Sequence, residues 1–388
     1  MRPIASVLAA LALAACRETT GPHVSVSFAS LSAGAGHTCG LTADGTAYCW
    51  GFGSWSPAPV SRALTFARVS AGEKHICGST ASGVAYCWGD NRAGQLGNGR
   101  ADTLPHSTPV MVSGGLTFAS VSAGGLHTCG VTTGGIAYCW GYDYFGQLGS
   151  GDTTNSATPV AVVGGRTFAT VSAGGDFTCG VTTGGSAYCW GDNAWGGLGA
   201  GSSDLNPHPA PVAVSGGFTF MSLSAGLEHA CGMTTGGAAY CWGDNSHDQL
   251  GVFGGDACAV ALGAVICRLV PTAVSGGLTF GSLRTGGEHT CGVTTGGAVY
   301  CWGNNDYQQL GTTYGPDVCG FSGEFGCSIE PTPVSGGLTF ASVTAGGWHT
   351  CGVTTGGLAY CWGDNRNGQL GDGSRTQSAT PVRVAGQP

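Results

Sequence analysis

The stretch His127–Gly141, HTCGVTTGGIAYCWG, sets two short strand-like arms around a Gly-containing turn, with one cysteine on each arm. Near-copies ending in the same Cys-Trp-Gly triplet finish at Gly51, Gly89, Gly141, Gly191, Gly243, Gly303 and Gly363, with spacings of 38, 52, 50, 52, 60 and 60 residues. Taken with its flanks, residues 158–199, the fourth copy reads TPVAVVGGRTFATVSAGGDFTCGVTTGGSAYCWGDNAWGGLG. Four runs in it suit strands (PVAV, FATVSA, FTCGVT, SAYCWG), separated by clusters of Gly, Asn, Asp and Pro. Four strands per unit of 40–50 residues is the pattern of a propeller blade.

The hairpin register can be read directly. In the first copy, TADGT at Thr42–Thr46 suits a three-residue loop, Ala43-Asp44-Gly45, with the glycine left-handed. Leu41 then opposes Ala47, Gly40 opposes Tyr48, and Cys39 opposes Cys49. The cysteines fall on a non-hydrogen-bonded pair, where Cα atoms approach to about 4.5 Å, within disulfide reach. Tyr48 is expected to fill the space over Gly40. The same register pairs Cys77 with Cys87, Cys129 with Cys139, Cys179 with Cys189, Cys231 with Cys241, Cys291 with Cys301 and Cys351 with Cys361. Each such bridge should contribute about 2–3 kcal/mol. A metal site at His127-Thr128-Cys129 is disfavoured: nine residues between cysteines of one hairpin is not a zinc spacing, and Phe177 replaces the histidine in copy four while both cysteines stay. The histidine instead suits packing or hydrogen bonding at the top of a blade.

Composition narrows the function. The 388 residues include 74 Gly and 16 Pro, but only 9% are charged; the net charge is −8, and Lys74 is the single lysine. Nucleic acid is therefore not an expected partner, since its binding needs basic patches. The N-terminal MRPIASVLAALALAAC has an early positive charge, a short apolar run and small residues, as export signals do. Its LAAC at Leu13–Cys16 resembles the lipobox of bacterial lipoproteins, which implies lipidation of Cys16, a signal peptide over 1–15 and a polar tether over 16–22. By the same resemblance, Arg17 after the cysteine favours an outer-membrane or cell-surface anchor. Export also fits the cysteines, because disulfides persist outside the cytosol.

The third copy, SAGGLHTCGVTTGGIAYCWGYDYFGQLGSGDTTNSATPV (122–160), resembles the repeat of the regulator of chromosome condensation family. The matching parts are the Ala-Gly start, the Tyr-x-Trp-Gly end, GQLG and TPV. The resemblance covers residues 23–388 and implies an all-β, seven-bladed propeller of four-stranded antiparallel blades. The name-giving member exchanges nucleotide on a small nuclear GTPase and sits on chromatin, which an exported acidic chain does not suggest. A nearer analogue within the family is a secreted bacterial propeller that inhibits β-lactamases with its loops. Copy one departs from the repeat, running GFGSWSPAPV in place of GDN and GQLG. Ring closure stays open: PHVSV at the start and TPVRV at Thr380–Val384 could compete for one strand position, or one could staple the ring.

Positions that differ between copies are free for function. The two residues before each histidine position vary, so Lys74, Leu126, Asp176, Glu228, Glu288 and Trp348 should form a ring on one face. Trp55, Trp195, Trp348, Tyr142, Tyr144, Tyr307 and Tyr314 lie outside the repeated aromatics. Two insertions, at about 252–270 and 312–330, each hold a cysteine pair, Cys258 with Cys267 and Cys319 with Cys327, expected to close its own loop. They offer Phe253, Tyr314, Phe321 and Phe325 as a partner surface; the alternative is a lid over a blade edge. No catalytic motif or phosphate-cradling loop is present. Asp90-Asn91 and Asp364-Asn365 could suggest calcium, but Asp and Asn in Gly-rich turns usually bond their own backbone. The expected function is an exported, lipid-anchored, monomeric propeller that binds a protein or glycan, without cofactor, metal or catalysis. The alternative is a structural envelope protein with no dedicated ligand.

Overall fold

The computed structural model describes residues 25–388 except 260–265, 314–316 and 320–324. The expected signal peptide, the tether and Cys16 lie outside the described residues. Seven antiparallel sheets follow one another along the chain. In each sheet a first strand (Phe28–Ala33 in blade 1) leads to a second (His37–Thr42), a third (Ala47–Gly51) and an outer fourth (Ser54–Pro59). The first strands contact one another from blade to blade in a closed ring, so they line the axis. The TPV run belongs to the blade before it: Ser156–Ala161 pairs with Ala137–Gly141 of blade 3 rather than opening blade 4.

The hairpins have the expected register. Gly45 is left-handed at φ 83°, Thr42 N donates to Thr46 O at 3.1 Å, and Cys39 faces Cys49. All seven hairpin disulfides form, with Cα atoms 4.0–4.1 Å apart. One expectation is corrected. The space over Gly40 is filled by Phe28 and Leu31 of the first strand, which a Cβ there would strike, not by Tyr48. Tyr48 instead meets Phe28 edge-on at 6.1 Å. The same exchange of Phe for Tyr recurs at Gly130 with Phe118 and at Gly352 with Phe340.

The core lies in the seams between blades. Each seam packs the disulfide of one blade against the Phe and Trp of the next, as Cys77–Cys87 and Leu96 pack against Phe118 and Trp140. Polar bonds bridge the same seams. His127 Nε2 meets Thr178 Oγ1 of the next blade at 2.8 Å, and that hydroxyl donates to Gln147 O at 2.9 Å. Trp190 Nε1 donates to the same carbonyl at 2.9 Å. The GQLG turn of one blade is thus the polar anchor for the threonine and tryptophan of the next. Equivalent His–Thr bonds join His75 to Thr128, His229 to Thr290, His289 to Thr350 and His349 to Thr38.

The two exceptions follow the same logic. Blade 4 carries Phe177, and the next blade answers with Ala230 in place of threonine; both are buried and apolar. His37 of blade 1 faces a blade that carries Ile76 in place of threonine, and both ring nitrogens of His37 lack a partner. Blade 1 has no GQLG turn, so a threonine at 76 would have no glutamine carbonyl to bond.

Closure uses a seam too. Phe28 and Trp50 of blade 1 pack on the Cys351–Cys361 bridge, Leu370 and Val384 of blade 7. Thr38 Oγ1 and Trp50 Nε1 both donate to Gln369 O, at 3.0 and 2.8 Å. TPVRV supplies the outer strand of blade 7, and among the described residues no strand is exchanged between the ends of the chain. Of the N-terminal run, Val26 N donates to Gly386 O at 2.9 Å.

Two predictions follow from the seams. Thr178→Ala should strand His127 and cost about 1–3 kcal/mol, whereas His127→Phe with Thr178→Ala, which copies the Phe177–Ala230 seam, should recover most of that loss in urea unfolding. A double variant no more stable than Thr178→Ala would contradict the pairing.

The second concerns pH. Burial lowers the imidazole pKa to about 4 at His37 and to about 3 at His75, His127, His229, His289 and His349. Folding therefore favours the neutral rings, and their contribution is complete above about pH 6.5 and lost as the pH falls toward 3. Asp143, pushed up by burial to about 7, and Asp176, pushed up by burial to about 6, act in the opposite sense between neutrality and pH 4. Melting temperature should fall as the pH drops below about 6.5, most steeply between about pH 5.5 and 3.5, and level off as the pH nears about 3. A stability maximum below pH 4 would contradict this assignment.

Candidate functional site

The first-to-second-strand turns converge on the axis at one face. They enclose a funnel of about 270 Å³ whose wall is Ala and Gly in most blades, with Glu73, Leu227 and Trp348 as the larger side chains. Each turn begins Ala-Gly or Thr-Gly because the glycine abuts a carbonyl of the following blade. A Cβ on Gly34 would strike Gly72 O, and one on Gly174 would strike Gly226 O. The next residue bonds across the seam, as Gly125 N does to Gly174 O at 2.9 Å and Gly347 N to Gly34 O at 3.1 Å. The funnel rim is therefore a rigid belt of backbone.

The expected ring of variable residues is divided by this geometry. The first residue of each variable pair lines the funnel; of the second residues, Trp348 alone joins the described lining. Lys74, Leu126, Asp176, Glu228 and Glu288 stand further out, over the seams. Asp176 Oδ1 accepts from Gln147 Nε2 of the previous blade at 3.2 Å, and Glu288 Oε2 accepts from Asn304 Nδ2 at 2.9 Å. Lys74 is exposed and lies 3.6 Å from Glu73.

Blades 4 and 5 place carboxyls close together. Burial, then the charges of Asp192 and Glu73, raises the pKa of Asp176 to about 6. Burial, then Asp192, Asp176 and Asp244, raises Glu228 well above the usual range. Asp192 and Asp244 are also raised by burial. With Glu288 next in the ring, these groups form an acidic arc over blades 4 to 6.

An aromatic and cationic patch adjoins it on blades 6 and 7. Trp348, 36% exposed, sits with its ring 5.6 Å from Tyr307, and the Arg366 guanidinium lies 4.4 Å over Tyr307. Asp364 holds Arg366 through Nε at 2.9 Å. The sequence marks Tyr307 as an aromatic outside the repeat but does not single out Arg366; the stacking of Arg366, Tyr307 and Trp348 in turn depends on the folding of loops from two blades. On the far side of the arc, Tyr142 and Tyr144 stack 6.4 Å apart.

Antiparallel order puts both insertions on this face, at its outer rim. Asp256–Ala257 and Asp317–Cys319 each add a fifth strand beyond the outer strand of blades 5 and 6. The strands cover the blade edges, the alternative role for the insertions. Cys258 bonds Cys267. Cys327 is disulfide-bonded; Tyr314, Phe321 and the side chains of Cys319 and Phe325 lie outside the described residues. Phe253 is 80% exposed.

The Asp-Asn turns fold on themselves: Asn91 Oδ1 accepts from Leu96 N at 3.1 Å, and Gln95 Oε1 accepts from Ala93 N at 2.9 Å. Among the described residues, no group of three His, Cys, Asp or Glu is placed to hold a metal ion. One unusual residue lies on a strand rather than in a loop. Aligned first strands give Ser32, Ser70, Ser122, Ser172, Ser224, Arg284 and Thr344 at one position, so Arg284 is the odd member.

The family profile for the RCC1-like domain matches residues 56–387, and that for the regulator of chromosome condensation (RCC1) repeat matches residues 28–54. The chain is 31% identical over 298 residues to the ultraviolet-B receptor UVR8 of Arabidopsis thaliana, covering 75% of this chain and 63% of that protein. It is 28% identical over 297 residues to the human E3 ubiquitin-protein ligase HERC2, covering 75% of this chain and 5% of that one. Yeast RCC1 (Prp20), in its crystal structure bound to Kap60, superposes with a TM-score of 0.75 at 18% identity, covering 98% of this chain and 91% of that one. The CRINKLY WD40 ectodomain of the Arabidopsis thaliana receptor kinase ACR4 superposes with a TM-score of 0.53 at 21% identity, covering 92% and 98%.

Proposed function

The chain belongs to the RCC1-like domain family, and from that premise we propose that it is an exported binding module whose protein partner docks on the loop face around the axis. The observation that carries the reading is the Trp348–Tyr307–Arg366 patch beside the acidic arc, on a belt of backbone hydrogen bonds that holds it rigid. Exposed Trp, Tyr and Arg are the side chains that dominate protein interfaces. A rigid platform loses little entropy on binding. The arc of Asp176, Asp192, Glu228, Asp244 and Glu288 asks for a partner with basic groups, which favours a protein over a neutral glycan. Among relatives, yeast RCC1 is met in a complex with Kap60, which illustrates a propeller of this family engaged by another protein. The role is binding without catalysis.

The formed disulfides and the LAAC of Leu13–Cys16 support export. In this reading Cys16 carries the lipid, the tether spaces a monomeric ring from an outer-membrane or cell-surface anchor, and the insertion rims on blades 5 and 6 border the partner.

Crosslinking in the native cell, with the crosslinker at residue 74 or 126, should identify the partner. Trp348→Ala should then weaken its capture about 30-fold or more, the scale of a hot spot, with melting unchanged. Capture unaffected by both Trp348→Ala and Tyr307→Ala would reject this face. Affinity should also rise as the pH passes upward through about 6, because a basic partner favours the ionised form of Asp176. A pH-independent affinity between 5 and 7.5 would count against the arc.

A further inference from the structure

The seven first strands that line the axis hold two charged side chains, Arg68 and Arg284, and no acidic one. Elsewhere they carry Ser, Thr, Ala and Gly with inward Leu, Val and Phe and the exposed Met221. The position of Arg284 is otherwise a fixed hydroxyl. Ser70 Oγ accepts from Ala123 N of the next blade at 3.0 Å, Ser122 Oγ from Ala173 N at 3.0 Å, and Thr344 Oγ1 from Ala33 N at 3.1 Å. Arg284 can offer Ala345 no such acceptor. A belt bond has given way to a guanidinium at this one seam.

Strand register shows where the guanidinium lies. Cys291 forms its non-hydrogen-bonded pair with Cys301 on the third strand, so its backbone groups turn to the first strand, where it faces Arg284. Leu283, one residue away, therefore points its carbonyl toward the axis. Arg284 Nη1 donates to Leu283 O at 2.8 Å, which places the guanidinium in the axial channel. Solvent reaches the side chain there although the blades surround it. No carboxylate among the described residues pairs with it. Thr285, the next residue, lines the funnel, so the charge lies just beneath an open mouth.

We propose that the axial channel is a carboxylate-binding site centred on Arg284, entered through the funnel. A planar guanidinium matches a carboxylate with two parallel hydrogen bonds. One bond to Leu283 O leaves donors on Arg284 free. Among the described residues no counterion offsets this charge, and an arriving carboxylate supplies one. Burial also holds the pKa of Arg284 below the usual arginine value, as expected for a charge lacking a partner. The carboxylate could come free from solution or be presented by a partner's terminus or side chain. The inference stands apart from the docking reading, since it needs neither Trp348 nor the acidic arc.

The test uses the full exported chain with acetate, and separately a short peptide ending in Glu, at constant ionic strength against chloride. Arg284→Ser restores the residue found in five other blades and should fold at least as well. Binding should be seen by calorimetry, with a rise in melting temperature on the order of 1–2 °C at tenfold excess over Kd, and be reduced more than tenfold in Arg284→Ser but within twofold of the parent in Arg68→Ser. Arg284-dependent binding of acetate identifies a free ligand; such binding of the peptide alone identifies a presented one. Failure of both to bind, or equal binding by the parent and Arg284→Ser, overturns the proposal.

Discussion

A blade of this ring cannot bury its own apolar face; the seam with its neighbour does that. At each regular seam a disulfide lies against the Phe and Trp of the next blade, and a histidine reaches a threonine whose hydroxyl is committed to a GQLG carbonyl. Both halves constrain each other. At five seams the buried imidazole has a threonine hydroxyl opposite it, and at four, Trp50, Trp140, Trp190 and Trp362 donate to the glutamine carbonyl. Where the GQLG turn is missing, after blade 1, threonine is missing as well, and where histidine is missing, in blade 4, alanine takes the threonine position. The substitutions come in pairs because the polar atoms do.

That seam also closes the ring. Many closed sheets need a strand contributed from the opposite end of the chain. Here blades 1 and 7 are each made from contiguous sequence, and their joint repeats the Thr–Gln and Trp–Gln bonds of the others. Disulfides complement this arrangement. They hold each hairpin flat within its blade, while the seams hold blades together, so covalent and non-covalent constraints act on different axes. The result is a stiff rim on which the loops can vary without moving the frame.

Much of the fold was legible in the residues. The Gly45 turn fixed the register, and the register fixed the cysteine pairs. What failed was local in cause: Gly40 is covered by Phe28 because the first strand, not the cross-strand tyrosine, packs on that side, and a hairpin read alone contains no first strand. The site was less legible. Variable loop pairs lie on one face, yet only folding separates Glu73 and Leu227 in the funnel from Lys74 and Glu228 over the seams. Tyr307 belongs to blade 6 and Trp348 and Arg366 to blade 7, so their meeting at Tyr307 has no signature in either copy. The fifth strands of blades 5 and 6 depend on an edge that sequence does not display. Arg284 was visible all along in the aligned first strands, but its meaning needs the axis.

Hydrogen exchange of single backbone amides weighs the seam directly. Gly347 N bonds Gly34 O across the closing joint, as Gly125 N bonds Gly174 O within the ring. If one kind of seam holds every blade, the two amides should exchange with similar protection, near that of global unfolding. Rapid exchange at Gly347 while Gly125 and Gly175 stay protected would mean that the ring opens at its ends, and that the seams alone do not close it.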